Sequence, residues 1–450
     1  MNNKLLTTSQ NCVPKLTLIV VTAVIMLFVS GCKKFLDVPP KDQVPQSTLF
    51  KDEQGFKDAL IGVYLGMDKP RNGANYGLYT TNLSMGMMST LAYNYDNATI
   101  ANAGTGGAFY NNVAYYIYLD GQVKQEIDGI WGGMYNNIAN LNNILIQIDS
   151  KKDVFHRDNF NRVKGEAIAL RALFHFDLLR MFGKPPLTGS AEKAIPYVTQ
   201  FAIKPTPFVT LNKGLDSCIA DLIAAKEILA ATDTSAVLKG VDDAFTSYTQ
   251  NHLNYWAVQA LLARVYLYKG DFENADKYSK AVIGSNKFPL ISSNIAAAVN
   301  IIRDRTFSQE HLFSVYSTNI KNYNGDLFNK SGGTPLRLSR TGSAGRNAVY
   351  TTGSGNASDY RYNSWFDNSQ INLTDTVPSK FFQDNNLPYQ LQNIVPVVRV
   401  SEMYYIAAEC ANKKNDIVGG ASLLNKVRQA RGLNALNAAG ISNTDSLSTE

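Results

Sequence analysis

The stretch from Asn254 to Ile283 constrains the fold of this chain more than any other. One helical segment ends at Tyr268-Lys269, meets Gly270-Asp271, and gives way to a second that carries Tyr278 and Val282. Glycine at the junction supplies the backbone freedom that a sharp reversal needs. Ala263 and Ala275 place small side chains where the two helices would touch, so their axes can approach closely. A helical pair of this kind cannot bury its apolar faces alone. Several must stack to make a core.

The chain holds material for such a stack. Val400, Met403, Tyr404, Ala407, Ala408 and Ala411 form an apolar stripe within a second pair over residues 398–430. Val163, Ala167, Leu170, Phe174, Leu178 and Met181 share one helical face, and residues 163–182 form a third pair with 212–230 across a Pro-rich connector at 184–209. Two more helices are predicted. One begins at Asp52 with Phe56, Leu60, Val63, Tyr64 and Met67 inward; the other opens at Trp131 with Met134, Ile138, Leu141, Leu145 and Ile148 inward. Ala263, Tyr266, Gly270 and Ala275 resemble the centre of a tetratricopeptide repeat, although Trp256 does not match that repeat's tryptophan position. The expected fold is mainly α: a tetratricopeptide-like helical-repeat scaffold, right-handed, with irregular loop and short-strand insertions near 72–125 and 286–396.

The N-terminus predicts export. Residues 1–15 are polar and carry Lys4 and Lys15 with no acidic residue, and Leu16 to Val29 is nearly continuous apolar sequence. That run is short of the ~20 residues a membrane-spanning helix needs, and it suits a signal peptide. Val29-Ser30-Gly31-Cys32 resembles the lipobox of bacterial lipoproteins, with Cys32 as the lipid-attachment residue. Residues 1–31 are then the signal peptide and 32–50 the lipidated N-terminus and a tether, extended by Pro39, Pro40 and Pro45. Residues 51–450 make a single domain.

Charge and cysteines narrow the function. Loss of Lys4 and Lys15 takes two units from a net charge of +6, and the small excess is spread over a long chain. No nucleic-acid footprint is expected, since that needs clustered Lys and Arg. Cys218 and Cys410, in helical stretches, read as small buried thiols rather than a disulfide or metal ligands. Metal and cofactor sites are not expected: His156, His175, His252 and His311 are isolated, and neither a GxSxG elbow nor a phosphate-binding GxxxxGK[ST] loop occurs. Gly104-Thr105-Gly106-Gly107 reads as a flexible loop.

Larger blocks resemble the SusD/RagB family of outer-membrane nutrient-binding lipoproteins. Cys32-Lys33-Lys34-Phe35-Leu36-Asp37-Val38-Pro39-Pro40 looks like that family's mature start. Trp131-Gly132-Gly133-Met134-Tyr135-Asn136-Asn137-Ile138 is similar to its tryptophan helix. Glu166 to Phe176, closing in Phe182-Gly183-Lys184-Pro185-Pro186, is the most distinctive block, and Arg399 to Glu409 followed by Leu424-Asn425-Lys426-Val427-Arg428 resembles the C-terminal repeat. The resemblance implies a non-enzymatic cell-surface lipoprotein of the outer membrane. It would capture oligosaccharides and deliver them to a SusC-like TonB-dependent transporter; the rivals are a peptide-capturing RagB-like binder and a surface glycoside hydrolase. The resemblance also leads us to expect further C-terminal sequence beyond Ser446-Leu447-Ser448-Thr449-Glu450.

Aromatic residues make up 11% of the chain, and their placement decides where a ligand would sit. Sugar rings present apolar C–H faces that stack on aromatic rings, while their hydroxyls need polar partners. An aromatic on a loop is free for this; one on a helical stripe is not. Trp131 and Trp256 fall on predicted helices and read as core. Trp365, with Tyr360 and Tyr362, lies in an irregular segment and is the first platform candidate. Tyr93, Tyr95 and Asp96 in the first insertion are the second, in a segment that also holds Tyr110, Tyr115, Tyr116 and Tyr118. The competing reading for both is a loop aromatic folded back onto the scaffold.

Overall fold

The computed structural model describes residues 45–69, 76–95, 107–232, 234, 244–296, 298–299, 302–328, 350, 359–366 and 378–437. Cys32, most of the tether, Asp96 and most of the Gly/Ser/Asn-rich stretch at 331–358 lie outside them. The chain divides after Leu49 into two units. In the first, Gln46–Leu49 is a single helical turn. The second, from Phe50, carries everything below.

Its frame is a run of long helices, each packed on the one before. These are α1 (Glu53–Gly66), α4 (Gly121–Ile148), α5 (Asn159–Phe182), α6 (Leu211–Leu229), α7 (Tyr255–Lys269), α8 (Phe272–Gly284), α11 (Val400–Lys413) and α12 (Ile417–Ala430). Side-chain caps set their starts: Asp52 accepts from Gly55 N–H, Asn254 from Trp256 and Ala257, Asp271 from Asn274, and Asp416 from Gly419. The stop of α7 is Gly270, at φ +86°, a left-handed conformation that ends a helix at little cost only in glycine. All three helical pairs expected from the sequence are present: α5 with α6, α7 with α8, and α11 with α12.

Close approach makes these pairs tight. A Cβ on Gly165 of α5 would stand 2.6 Å from Leu229 Cγ of α6, so only hydrogen fits there. Ala257, Ala260, Ala263 and Ala275 are buried along α7 and α8, while Leu261, Leu262, Val265 and Val282 fill the space between helices. Cys218 and Cys410 are buried free thiols, and burial raises both, Cys410 to about 11. No helix among the described residues is long and apolar enough to cross a membrane.

Among the described residues, two small antiparallel ribbons join the frame. The connector between α5 and α6 contains β1 (Lys193–Pro196) and β2 (Phe208–Thr210), with Ile195 opposite Val209. Farther on, β3 (His311–Tyr316) pairs with β4 (Ile394–Arg399), helix α9 (Ile320–Phe328) follows β3 in the chain, and β4 runs straight into α11. Arg431, just past α12, reaches back with a two-pronged ion pair to the fully buried Glu310 at 2.6 and 2.8 Å.

The first insertion corrects an expectation. Residues 72–125 read as loops and short strands, yet their described part is mainly helical: a π-helix at Leu78–Met85, then α2 (Met87–Leu91), α3 (Gly107–Ala114) and the start of α4, ten residues before Trp131. The π-helix hides its period because nearly every face is buried, polar residues included. Thr80 donates to Asp68 at 2.6 Å, Thr81 to the Gly77 carbonyl at 2.9 Å and Asn82 to Glu126 at 3.1 Å. Polar side chains satisfied internally leave no apolar stripe to read.

Candidate functional site

The tyrosines of this first insertion divide between interior and surface. Tyr95 and Tyr110 are buried; Tyr95 donates its hydroxyl to the Met85 carbonyl, and Tyr110 packs edge-on to Phe109 with ring centres 4.9 Å apart. Burial pushes both phenols up in pKa, so they remain neutral. Tyr93 is 46% exposed, Tyr116 44% and Tyr118 45%, and Tyr115, Ile117 and Leu119 beside them are exposed as well. Tyr93 and Tyr116 meet edge to face at 5.9 Å, and Tyr116 and Tyr118 repeat that contact at 6.0 Å. The result is an open apolar strip of three linked rings.

The backbone holds this strip in place. Tyr93 and Tyr116, just past the ends of α2 and α3, both adopt left-handed backbone conformations, at φ 55° and 57°. The turn after α3 is closed by hydrogen bonds from Tyr115 to Asn111, Tyr116 to Val113 and Ile117 to Asn112. At its far end Asp120 caps α4 by accepting from Gln122 and Val123 N–H. The Tyr116 hydroxyl reaches the Leu91 carbonyl at 3.4 Å, and a hydrogen bond between Tyr93 and Tyr116 raises the Tyr93 phenol. Aromatic rings fixed in this way offer contact area without losing rotamer freedom on binding.

The other candidate group is packed. Trp365 donates its indole N–H to the Arg305 carbonyl at 2.6 Å, stacks on Phe307 at 5.5 Å and lies under Lys380 Nζ at 5.0 Å. Tyr360 packs with it against Ile291, Ala296 and Phe307, and Tyr360 N–H binds the Arg431 carbonyl. Tyr362, in the same one-turn helix α10 (Tyr360–Ser364), is half-buried. Trp365 and Tyr360 thus behave as loop aromatics folded onto the scaffold. An unpaired indole N–H is costly to bury, and a carbonyl some 60 residues away, which no local pattern reveals, provides its partner. Of the expected platform residues only Tyr93 stands open; Tyr95 is a core residue, and Asp96 is outside the described part. Tyr116 and Tyr118 complete the strip, and their clustering in sequence was the signal for them.

Buried polar residues elsewhere are structural. His175 donates Nδ1–H to the Arg171 carbonyl, accepts the Val198 N–H at Nε2, and stacks on Tyr197 at 3.9 Å. Both nitrogens are used, and burial pushes its pKa down to about 3. Glu166 receives Tyr64 Oη at 2.6 Å and His252 Nδ1 at 2.9 Å, tying α5 to α1 and to the segment before α7. Trp131 is wedged against Phe182 at 4.9 Å, and Trp256 donates to the Thr234 carbonyl at 2.8 Å. Among the described residues no group of three or more His, Cys, Asp or Glu is placed to hold a metal.

Comparison with known proteins gives the family of this helical-repeat frame. Residues 34–267 match the family described as starch-binding and associating with the outer membrane, and residues 313–450 match the SusD family. The chain belongs to the SusD family. Its sequence is 26% identical over 264 residues to SusD-like protein P2 of Formosa agariphila, a match spanning 58% of this chain and 45% of that protein. The chain therefore spans less than half the length of the curated relatives it matches. Among solved structures, a SusD-like carbohydrate-binding protein from Bacteroides vulgatus superposes with a TM-score of 0.63 at 20% identity, covering 88% of this chain and 79% of the other. Surface glycan-binding protein A from Bacteroides uniformis superposes with a TM-score of 0.61 at 18% identity, covering 88% and 84%. At those identities the likeness concerns the fold.

Proposed function

We propose that this protein captures glycans at the cell surface on the strip formed by Tyr93, Tyr116 and Tyr118, and passes them to a SusC-like TonB-dependent transporter. The observation that carries the reading is the exposed edge-to-face run of tyrosines, pinned at both ends by backbone hydrogen bonds. Such a strip stacks against the C–H faces of successive sugar rings, and the phenol hydroxyls at its margin meet sugar hydroxyls. Lipid attachment at Cys32 would hold the protein to the outer membrane, and the tether would let the body move over the transporter. The protein acts as a binder and leaves the glycan intact.

The test is calorimetry of the purified protein against a panel of polysaccharides, with peptides as a second panel. Tyr116→Ala removes the ring shared by both contacts and should weaken polysaccharide binding about tenfold, leaving the melting temperature nearly unchanged because the ring is exposed. Wild-type polysaccharide affinity in both Tyr116→Ala and Tyr93→Ala would place the site elsewhere. Binding of peptides alone would assign the strip to a peptide ligand. Cleavage of any bound polysaccharide would replace the binder with a hydrolase.

A further inference from the structure

A cleft of about 560 Å³ opens where the π-helix, α2, the last turns of α5, α7, β4 and α11 converge. Its size falls within the roughly 300–1,000 Å³ typical of small-molecule sites. Its polar wall is already assembled. Tyr79 donates to Asp177 at 2.5 Å, Arg180 pairs with the other oxygen of that carboxylate, and Arg264 forms a two-pronged pair with Glu402 at 2.6 Å on both arms. Arg264 also holds the Val397 carbonyl at 2.9 Å. These groups stand ready without further ordering, which lowers the entropic cost of binding.

The charges specify the ligand. Two guanidinium groups face two carboxylates and each is closed in a pair, so the wall is neutral. A charged ligand entering it would either break a pair or go without a counter-ion, both costly away from water. A neutral ligand rich in hydroxyls meets neither penalty. Arg180 and Glu402 are partly exposed and retain hydrogen-bonding capacity, because a guanidinium has five N–H donors and a carboxylate about four acceptor positions. Met88, Met181 and Pro396 also line the cleft and offer adaptable apolar surface for a ring. Tyr79 sits on the π-helix, a rare geometry that recurs at functional sites.

The geometry points to a second binding site in this cleft, separate from the tyrosine strip, for an uncharged polyhydroxylated ligand of one or two sugar rings. It does not depend on the strip being a glycan platform. Calorimetry on the full chain tests it with D-glucose, D-galactose, maltose and cellobiose, using glucuronate and glucosamine as charged controls. Met88→Trp fills the cleft from a partly exposed position, and Arg180→Ala removes a donor. Both should weaken binding of the neutral sugars by roughly tenfold or more while polysaccharide binding holds; the melting temperature should hold in Met88→Trp and fall in Arg180→Ala, which leaves the buried Asp177 without its counter-ion. Tyr116→Ala should leave the small sugars unaffected, which keeps failure of this site distinct from failure of the strip. Three results would overturn the assignment: no neutral sugar binds wild type at millimolar concentration, the charged controls bind as well as glucose, or Tyr116→Ala rather than Met88→Trp abolishes small-sugar binding.

Discussion

At the scale of single residues, identical side chains separate by what surrounds them. Tyr93 and Tyr95 lie two apart, yet one ring is open and the other fills the core, because the left-handed backbone at Tyr93 breaks any alternation. Trp365 lies in an irregular segment and still serves as a packing residue. Trp365→Ala should therefore cost about 2–3 kcal/mol of stability in denaturant unfolding, from lost stacking on Phe307 and a stranded Arg305 carbonyl, and leave glycan affinity unchanged. Lys380, above that ring, is a half-buried cation with a desolvation penalty. Burial first, then Arg399 and Arg431, push its pKa from the usual 10.5 down to about 7. Between about pH 7 and 10.5 the unfolded chain binds the proton more tightly than the folded one, so this group makes stability rise with pH across that window, and its penalty is complete below pH 7. Lys380→Met keeps the contact with the Trp365 and Phe381 rings. It should raise stability by about 1–2 kcal/mol at pH 7, the low side of what the shift implies for a partly exposed group, and the gain should vanish near pH 10.5. A gain independent of pH would point to packing instead of charge.

At the scale of elements, the helical pairs were legible and the first insertion was not. The pair α7–α8 could be read because its turn, its caps and its small contact residues are all local. Gly270→Ala isolates one of those signals: nothing stands within 4 Å of the added Cβ, so the cost is that of the left-handed backbone alone, about 1 kcal/mol by thermal or denaturant unfolding. A null effect would mean that α7 ends some other way. The stretch from Leu78 to Leu91 resisted the same reading. Its helical turns bury Thr80, Thr81, Asn82 and Thr90, and their hydrogen-bond partners reach as far as Glu126 on α4. A polar residue looks exposed in sequence until its partner is known, so the segment resembled loop.

At the scale of the whole molecule, the long helices follow one another in space as they do in the chain, up to α8, which then meets α11 across the second insertion. That order explains why fold class and family were readable early. Helical period, turn glycine, capping residues and the signature around Cys32 are all set by neighbours a few positions away, and short-range chemistry is written in the order of residues. Exposure is a different kind of property. Whether a tyrosine meets solvent or core depends on backbone dihedrals and on chains arriving from far along the sequence, as Arg305 arrives at Trp365 and Glu402 at Arg264. The open strip at Tyr93, Tyr116 and Tyr118 and the neutral cleft beside the π-helix exist only once those distant segments have packed, because burial and charge pairing are decided by contacts that no local pattern encodes.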